Sequence, residues 1–169
     1  IGAQIMEKLA PVIKSGKYAL NLVAGSRPEI QEYFLDRMTA AGLSNKDGVK
    51  IIYAQDKNEY FAKFNACLHA TDILWTKPSE LSFYAALGLP IVMSSPVGSQ
   101  EDFNREWLLS VGAGIDSQDP EFVDEWLPAL ISSGRLARAA MDGFLMQSRW
   151  EHIILKRCYS INNKLCLGS

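Results

Sequence analysis

Short apolar, β-branched runs alternate with longer amphipathic stretches over most of the chain. The run Ala19–Ala24 breaks at Gly25-Ser26, and a second, Val49–Ala54, follows the turn Asn45-Lys46-Asp47-Gly48. Asp72–Thr76 and Pro90–Ser94 are the third and fourth, both almost solidly apolar, as expected of strands covered on two faces. Between them the period changes. Ile30–Ala41 sets Ile30, Phe34, Leu35 and Met38 on one side, and Glu59–Ala70 does the same with Tyr60, Phe64, Cys67 and Leu68. Ser79–Leu87 predicts a shorter helix, and Gln100–Val111 a longer one carrying Phe103, Trp107 and Leu108. Strand–helix–strand order with right-handed crossovers predicts an α/β fold: a Rossmann-like, doubly wound parallel sheet with helices on both faces.

The two ends depart from this alternation. Gln4–Ser15 has a helical pattern, although Pro11 is expected to kink or shorten it. No strand precedes this helix. In a doubly wound sheet that strand is the central one, so the expectation is a sheet whose first strand is absent from the chain. From Pro120 onward the pattern is helical only, over Glu121–Ile131 and Leu136–Tyr159 with a break at Ser132-Ser133-Gly134. The expected organisation is an α/β domain over 1–119, followed by C-terminal helices over 120–169.

Composition narrows the function. The chain has 169 residues, 48% hydrophobic, with a formal net charge of −2, so one core can form and no basic face for nucleic acid is indicated. Cys67, Cys158 and Cys166 have neither an even count nor Cys-x-x-Cys spacing, which argues against a disulfide framework or a metal site. No run of membrane-span length, signal-peptide pattern or Asn-x-Ser/Thr acceptor is visible, and the expected setting is the cytoplasm. His69, late in its helix, reads as a cap or surface residue, and His152 as structural. Trp75, Trp107, Trp126 and Trp150 read as packing residues.

Ligands of open α/β sheets bind beyond the carboxyl ends of the strands, so candidate chemistry lies in the residues that follow each one. These are Gly25-Ser26-Arg27, Gln55-Asp56, the segment 76–80 (Thr-Lys-Pro-Ser-Glu) and the segment 94–101. In the third, Pro78 and Ser79 predict a helix start at which the amides of Glu80, Leu81 and Ser82 point outward. With Lys77 beside them, they favour a phosphate or diphosphate. The competing reading is a Ser79-capped helix whose first turn Glu80 satisfies. In the fourth, Gln100, Glu101 and Asn104 suit a ligand rich in hydroxyls. The competing reading is capping by Ser99, with Glu101 and Asp102 complementing the helix dipole.

Four pieces in order, Thr76-Lys77-Pro78, Gly88-Leu89-Pro90, the loop 96–104 (Pro-Val-Gly-Ser-Gln-Glu-Asp-Phe-Asn) and Gly112-Ala113-Gly114, carry a family resemblance. The stretch resembles the C-terminal, nucleotide-sugar-binding half of GT-B glycosyltransferases, above all the MurG-like GlcNAc transferases and the monogalactosyldiacylglycerol synthases. Gly2-Ala3-Gln4 is similar to the tail of the glycine-rich turn that opens this half. The resemblance implies that Gln100 and Glu101 contact sugar hydroxyls and that Asn104 supports their loop. It places Lys77, Ser79 and the amides of Glu80 and Leu81 at the diphosphate, and Gly25, Ser26 and Arg27 near the nucleotide. Phe83 stands where the family has a ribose-binding glutamate, which leaves the nucleotide's identity open.

The implied activity is inverting, metal-independent transfer of a sugar from a nucleotide diphosphate donor, UDP by preference, to an acceptor hydroxyl. The nucleotide-sugar is a substrate, and no cofactor or metal is implied. The family's catalytic base belongs to an N-terminal acceptor half that this sequence lacks, so no catalytic residue is assigned. The implied partners are the donor and that acceptor domain, or a separate acceptor subunit, with peripheral membrane association through the missing half. Two alternatives stay open: a non-catalytic donor-binding subunit, and a GT-B-like nucleotide-sugar epimerase.

Overall fold

A computed structural model describes residues 1–79 and 81–146, except for the side chains of Leu81 and Ser82. The class is α/β. Among the described residues five short parallel strands alternate with helices, in two ladders: β1 (Leu20–Gly25) with β2 (Val49–Tyr53), and β3 (Leu74–Thr76), β4 (Ile91–Met93) and β5 (Gly114–Asp116) in that order. No helix among the described residues is long and apolar enough to cross a membrane. The described residues divide into two compact units, Ile1–Thr71 with Gln118–Ala129, and 72–117 with 130–146.

In the first unit, α1 (Gly2–Lys14) buries Ala3, Ile5, Met6, Leu9, Ala10 and Ile13, a stripe of helical period. Pro11 does not shorten it as expected. It is exposed and lies in the last turn and a half, and its carbonyl still accepts from the Ser15 N–H at 3.2 Å. Helix α2 (Pro28–Ala40) starts on a proline, where the missing N–H costs nothing, and packs on β1, β2 and α1. A β-carbon on Gly2 would lie 3.3 Å from Leu22 Cδ2 and 3.5 Å from the Phe34 ring, so α1, α2 and the Leu22 face of β1 are in contact. Glu7 and Arg37 join the two helices by a two-point ion pair, with Nε–Oε1 at 2.6 Å. Both ends are partly exposed, so water screens the pair and it adds little stability. Helix α3 (Lys57–His69) is capped by Asp56, whose carboxylate accepts from the Glu59 N–H at 3.0 Å. The helical tail returns through a 3-10 turn (Pro120–Phe122) to α6 (Val123–Ser132), where Trp126 donates to the Asp119 carbonyl at 2.9 Å.

The second unit is built on Ala85, Ile91, Met93, Leu108 and Ala113, with Leu74, Tyr84, Trp107 and Val111 packed around them. Helix α4 (Leu81–Ala86) leads to β4, and α5 (Ser99–Ser110) leads to β5. Gly112, at φ +77°, ends α5: its N–H reaches the Leu109 carbonyl and the Ala113 N–H reaches that of Leu108, a Schellman stop. The helix α7 (135–146) covers the part of Leu136–Tyr159 that is described; the rest of that prediction, with Trp150 and His152, lies outside the described residues.

Two expectations follow. Gly143 of α7 sits so close that an added β-carbon would lie 2.8 Å from the Ala85 carbonyl oxygen, a backbone atom that cannot step aside. Gly143→Ala is therefore expected to destabilise the second unit by about 1–3 kcal/mol in urea denaturation, although alanine is the better helix former. In the loop before β2, the Ser44 hydroxyl and amide both donate to Asp47 Oδ2, at 2.6 and 2.8 Å, and hold its carboxyl below its ordinary value of 3.8. The stability this box supplies is present above the unfolded value and lost as pH falls through the folded one. An NMR titration should give Asp47 a midpoint under 3.8, moving upward in Ser44→Ala.

Candidate functional site

All three strands of the second unit run the same way, so the segments after β3, β4 and β5 leave from one edge of their ladder. At that edge Ser94 is buried, accepts the Trp75 indole N–H at 3.1 Å, and donates its own N–H to the Thr76 carbonyl at 2.9 Å. Ser117 donates its N–H to the Met93 carbonyl at 2.8 Å. The ladder thus continues one residue past the assigned strands, and the loops start from fixed points.

After β3, Lys77 and Ser79 are exposed and flank Pro78, which is fully buried. The Ser79 N–H turns back onto the Lys77 carbonyl at 2.8 Å. Helix α4 then starts at Leu81, two residues later than predicted, after that tight turn. Glu80 lies outside the described residues. At six residues α4 has a small dipole, so the positive character of this loop rests on the Lys77 ammonium.

After β4 the loop runs into α5. Its N-cap is Gly98 rather than the expected Ser99, and Gly98 makes no side-chain cap bond. Glu101 does that work differently, accepting the Val97 N–H on Oε2 at 2.8 Å and closing the loop onto the first helical turn. One carboxylate oxygen is thereby committed to the loop. Gln100 is exposed beside it, with an amide NH2 that donates and an amide oxygen that accepts.

Asn104 joins the two loops. Its Nδ2 donates to the Pro78 carbonyl at 3.1 Å and to the Ser79 carbonyl at 3.0 Å, using both amide protons. The structure therefore brings Lys77, Ser79, Gln100, Glu101 and Asn104 together on one rim. The pattern of the sequence does not reveal a further member: Arg105 pairs with Asp116, at the end of β5, through Nε–Oδ1 at 2.6 Å and a second short Nη–Oδ2 contact. Asp116 holds the guanidinium above its ordinary value through that hydrogen bond and its charge. No local spacing marks this pair, since it links a helix to the strand that follows it.

Gly25, Ser26 and Arg27 belong to the first unit. Gly25 closes β1 at φ +68°, which requires glycine, Ser26 and Arg27 are exposed, and Arg27 is the residue before Pro28 of α2. His69 is the exposed last residue of α3. Trp107 is packed against the core of the second unit and Trp126 is buried in the first, in keeping with packing roles.

Replacing Asn104 by alanine removes the donor from two loop carbonyls. The expected loss is about 1 kcal/mol in urea denaturation, with faster amide exchange at Lys77 and Ser79 but not in β4.

No curated protein and no solved structure matches the chain. The family model described as a domain of unknown function, DUF6938, matches residues 3–147, most of both units. The chain belongs to the DUF6938 family.

Proposed function

We propose that this chain is the Rossmann-like, nucleotide-sugar-binding half of a GT-B-like glycosyltransferase, transferring a sugar from a nucleotide diphosphate donor to an acceptor hydroxyl by an inverting, metal-independent route. The single observation that carries the reading is the double donation of Asn104 to the carbonyls of Pro78 and Ser79. It ties a lysine-bearing loop to a loop that offers an amide and a carboxylate, the two kinds of group that a diphosphate linked to a sugar needs side by side. The order of these residues, which resembles the donor half of that family, supports the same reading.

In this reading Lys77 neutralises charge on the departing diphosphate, a stabilisation worth most where the charge develops. Gln100 and the second carboxylate oxygen of Glu101 take sugar hydroxyls, and direction comes from the bond that fixes Glu101 to Val97. Asn104 is a positioning residue. The base that deprotonates the acceptor would come from an acceptor-binding domain or subunit. Gly25, Ser26 and Arg27 are assigned to the nucleotide, with Glu80 and Leu81 as further diphosphate contacts.

Calorimetric titration with UDP, GDP and UDP-sugars tests the proposal. Gln100→Ala is expected to weaken UDP-sugar binding about fivefold and Glu101→Ala about tenfold or more, both leaving UDP almost unchanged, since a neutral hydrogen bond is worth about 1 kcal/mol and one to a charged group about 1.5–3 kcal/mol. Lys77→Ala should weaken both ligands by about tenfold, as the loss of a charge-assisted contact would. Equal effects of Gln100→Ala and Glu101→Ala on UDP and UDP-sugar would overturn the sugar assignment. Absence of binding by any of these ligands at millimolar concentration would overturn the proposal as a whole.

A further inference from the structure

The two strands of the first unit differ in how their edges are protected. Among the described residues β1 pairs with β2 and with no other strand. The Leu20 N–H donates to the Gly48 carbonyl at 2.9 Å, in a register that sets Leu20 opposite Val49 and Leu22 opposite Ile51. In a parallel ladder of that register the N–H and C=O groups of Leu20 and Leu22 face β2, while those of Asn21 and Val23 face the outer edge. Bare edges are ordinarily blunted by charge or proline. The edge strand β2 carries an exposed Lys50, whereas β1, Leu-Asn-Leu-Val-Ala-Gly, has neither charge nor proline. Val23 is also 40% exposed, although parallel strands are normally covered on both faces.

Handedness fixes which side a further strand would take. Helix α2 crosses from β1 to β2 over the Leu22 face, and α1 lies against α2 and β1 on that same face. Successive right-handed crossovers on one face advance in one direction. A strand that enters α1 must then stand on the side of β1 away from β2, beside Asn21 and Val23.

We propose that the outer edge of β1 is a docking edge for a parallel, uncharged β-strand, the first member of a β–α1–β1 unit. The incoming strand pairs with the backbone groups of Asn21 and Val23, and its own side chains cover Val23. This inference rests on strand topology and is independent of the donor-site proposal.

The test fuses the extension Thr-Val-Val-Val-Gly directly ahead of Ile1 and reads amide exchange by NMR. Exchange at Asn21 and Val23 should slow by about tenfold or more, with Tm rising by several degrees, as newly paired backbone groups require. The same extension with proline as its central residue should do neither. Asn21→Pro removes an N–H that β2 does not use, so it should shift the Tm of the unextended chain little while abolishing the gain from the extension. Asn21→Lys provides a second variant, which blunts the edge by charge and should also cut the gain. The proposal is overturned if Asn21 and Val23 already exchange as slowly as Leu22 in the unextended chain. It is equally overturned if the extension leaves their exchange unchanged, or if its effect survives both substitutions.

Discussion

Parallel strand pairing is the constraint from which the rest of this protein follows. Two parallel neighbours cannot be joined by a tight turn, so each pairing requires a crossover, and here each crossover is a helix. All strands of a ladder then end at the same edge, and every connection that leaves them starts there. In the second unit this places three loops side by side after β3, β4 and β5, whatever their sequences. The chemistry of the rim depends on what is written into those loops, but their proximity does not.

Proximity alone would leave the loops independent, and side-chain contacts couple them. The neutral bonds of Asn104 and the ion pair of Arg105 with Asp116 hold consecutive residues of α5 to different neighbours, one to the loop after β3 and the other to the end of β5. The ion pair has the better geometry, two parallel bonds to one carboxylate, but its members are 34% and 42% exposed, so screening by water reduces its worth. The Asn104 bonds are weaker one by one. Their loss, however, would strand two carbonyls of a turn built around a fully buried proline, and this makes them the more consequential contact for the shape of the rim.

Much of the architecture was legible because periodicity reports burial. The first four strands and the helices between them appear close to where alternation and helical spacing place them, whereas β5, three residues long, carries no such pattern. Boundaries slipped at two helix starts: α4 begins after the tight turn that closes on the Lys77 carbonyl, and Gly98 caps α5 through its extended backbone although Ser99 is the better capping residue by type. Strand neighbours were not legible at all. The prediction of a single doubly wound sheet names the connections correctly, but two separate ladders are what form among the described residues, because pairing depends on which edges meet in space. The rim residues Lys77, Gln100, Glu101 and Asn104 could be found from their place after strands. Arg105 and Asp116 could not, since ion pairs between elements leave no periodic trace.

The division of the chain has a consequence for how the protein is made. Each compact unit is discontinuous: residues 72–117 of the second interrupt the first, and residues 118–129 of the first interrupt the second. During synthesis from the N-terminus neither unit has its full set of residues until α6 has emerged, so Leu22, Val49 and the apolar stripe of α1 wait for Val123, Trp126 and Leu127 of their own unit. The first unit is therefore completed only after residues 72–117 of the second have been made. The nascent chain must keep the first unit's apolar residues from associating elsewhere during that delay.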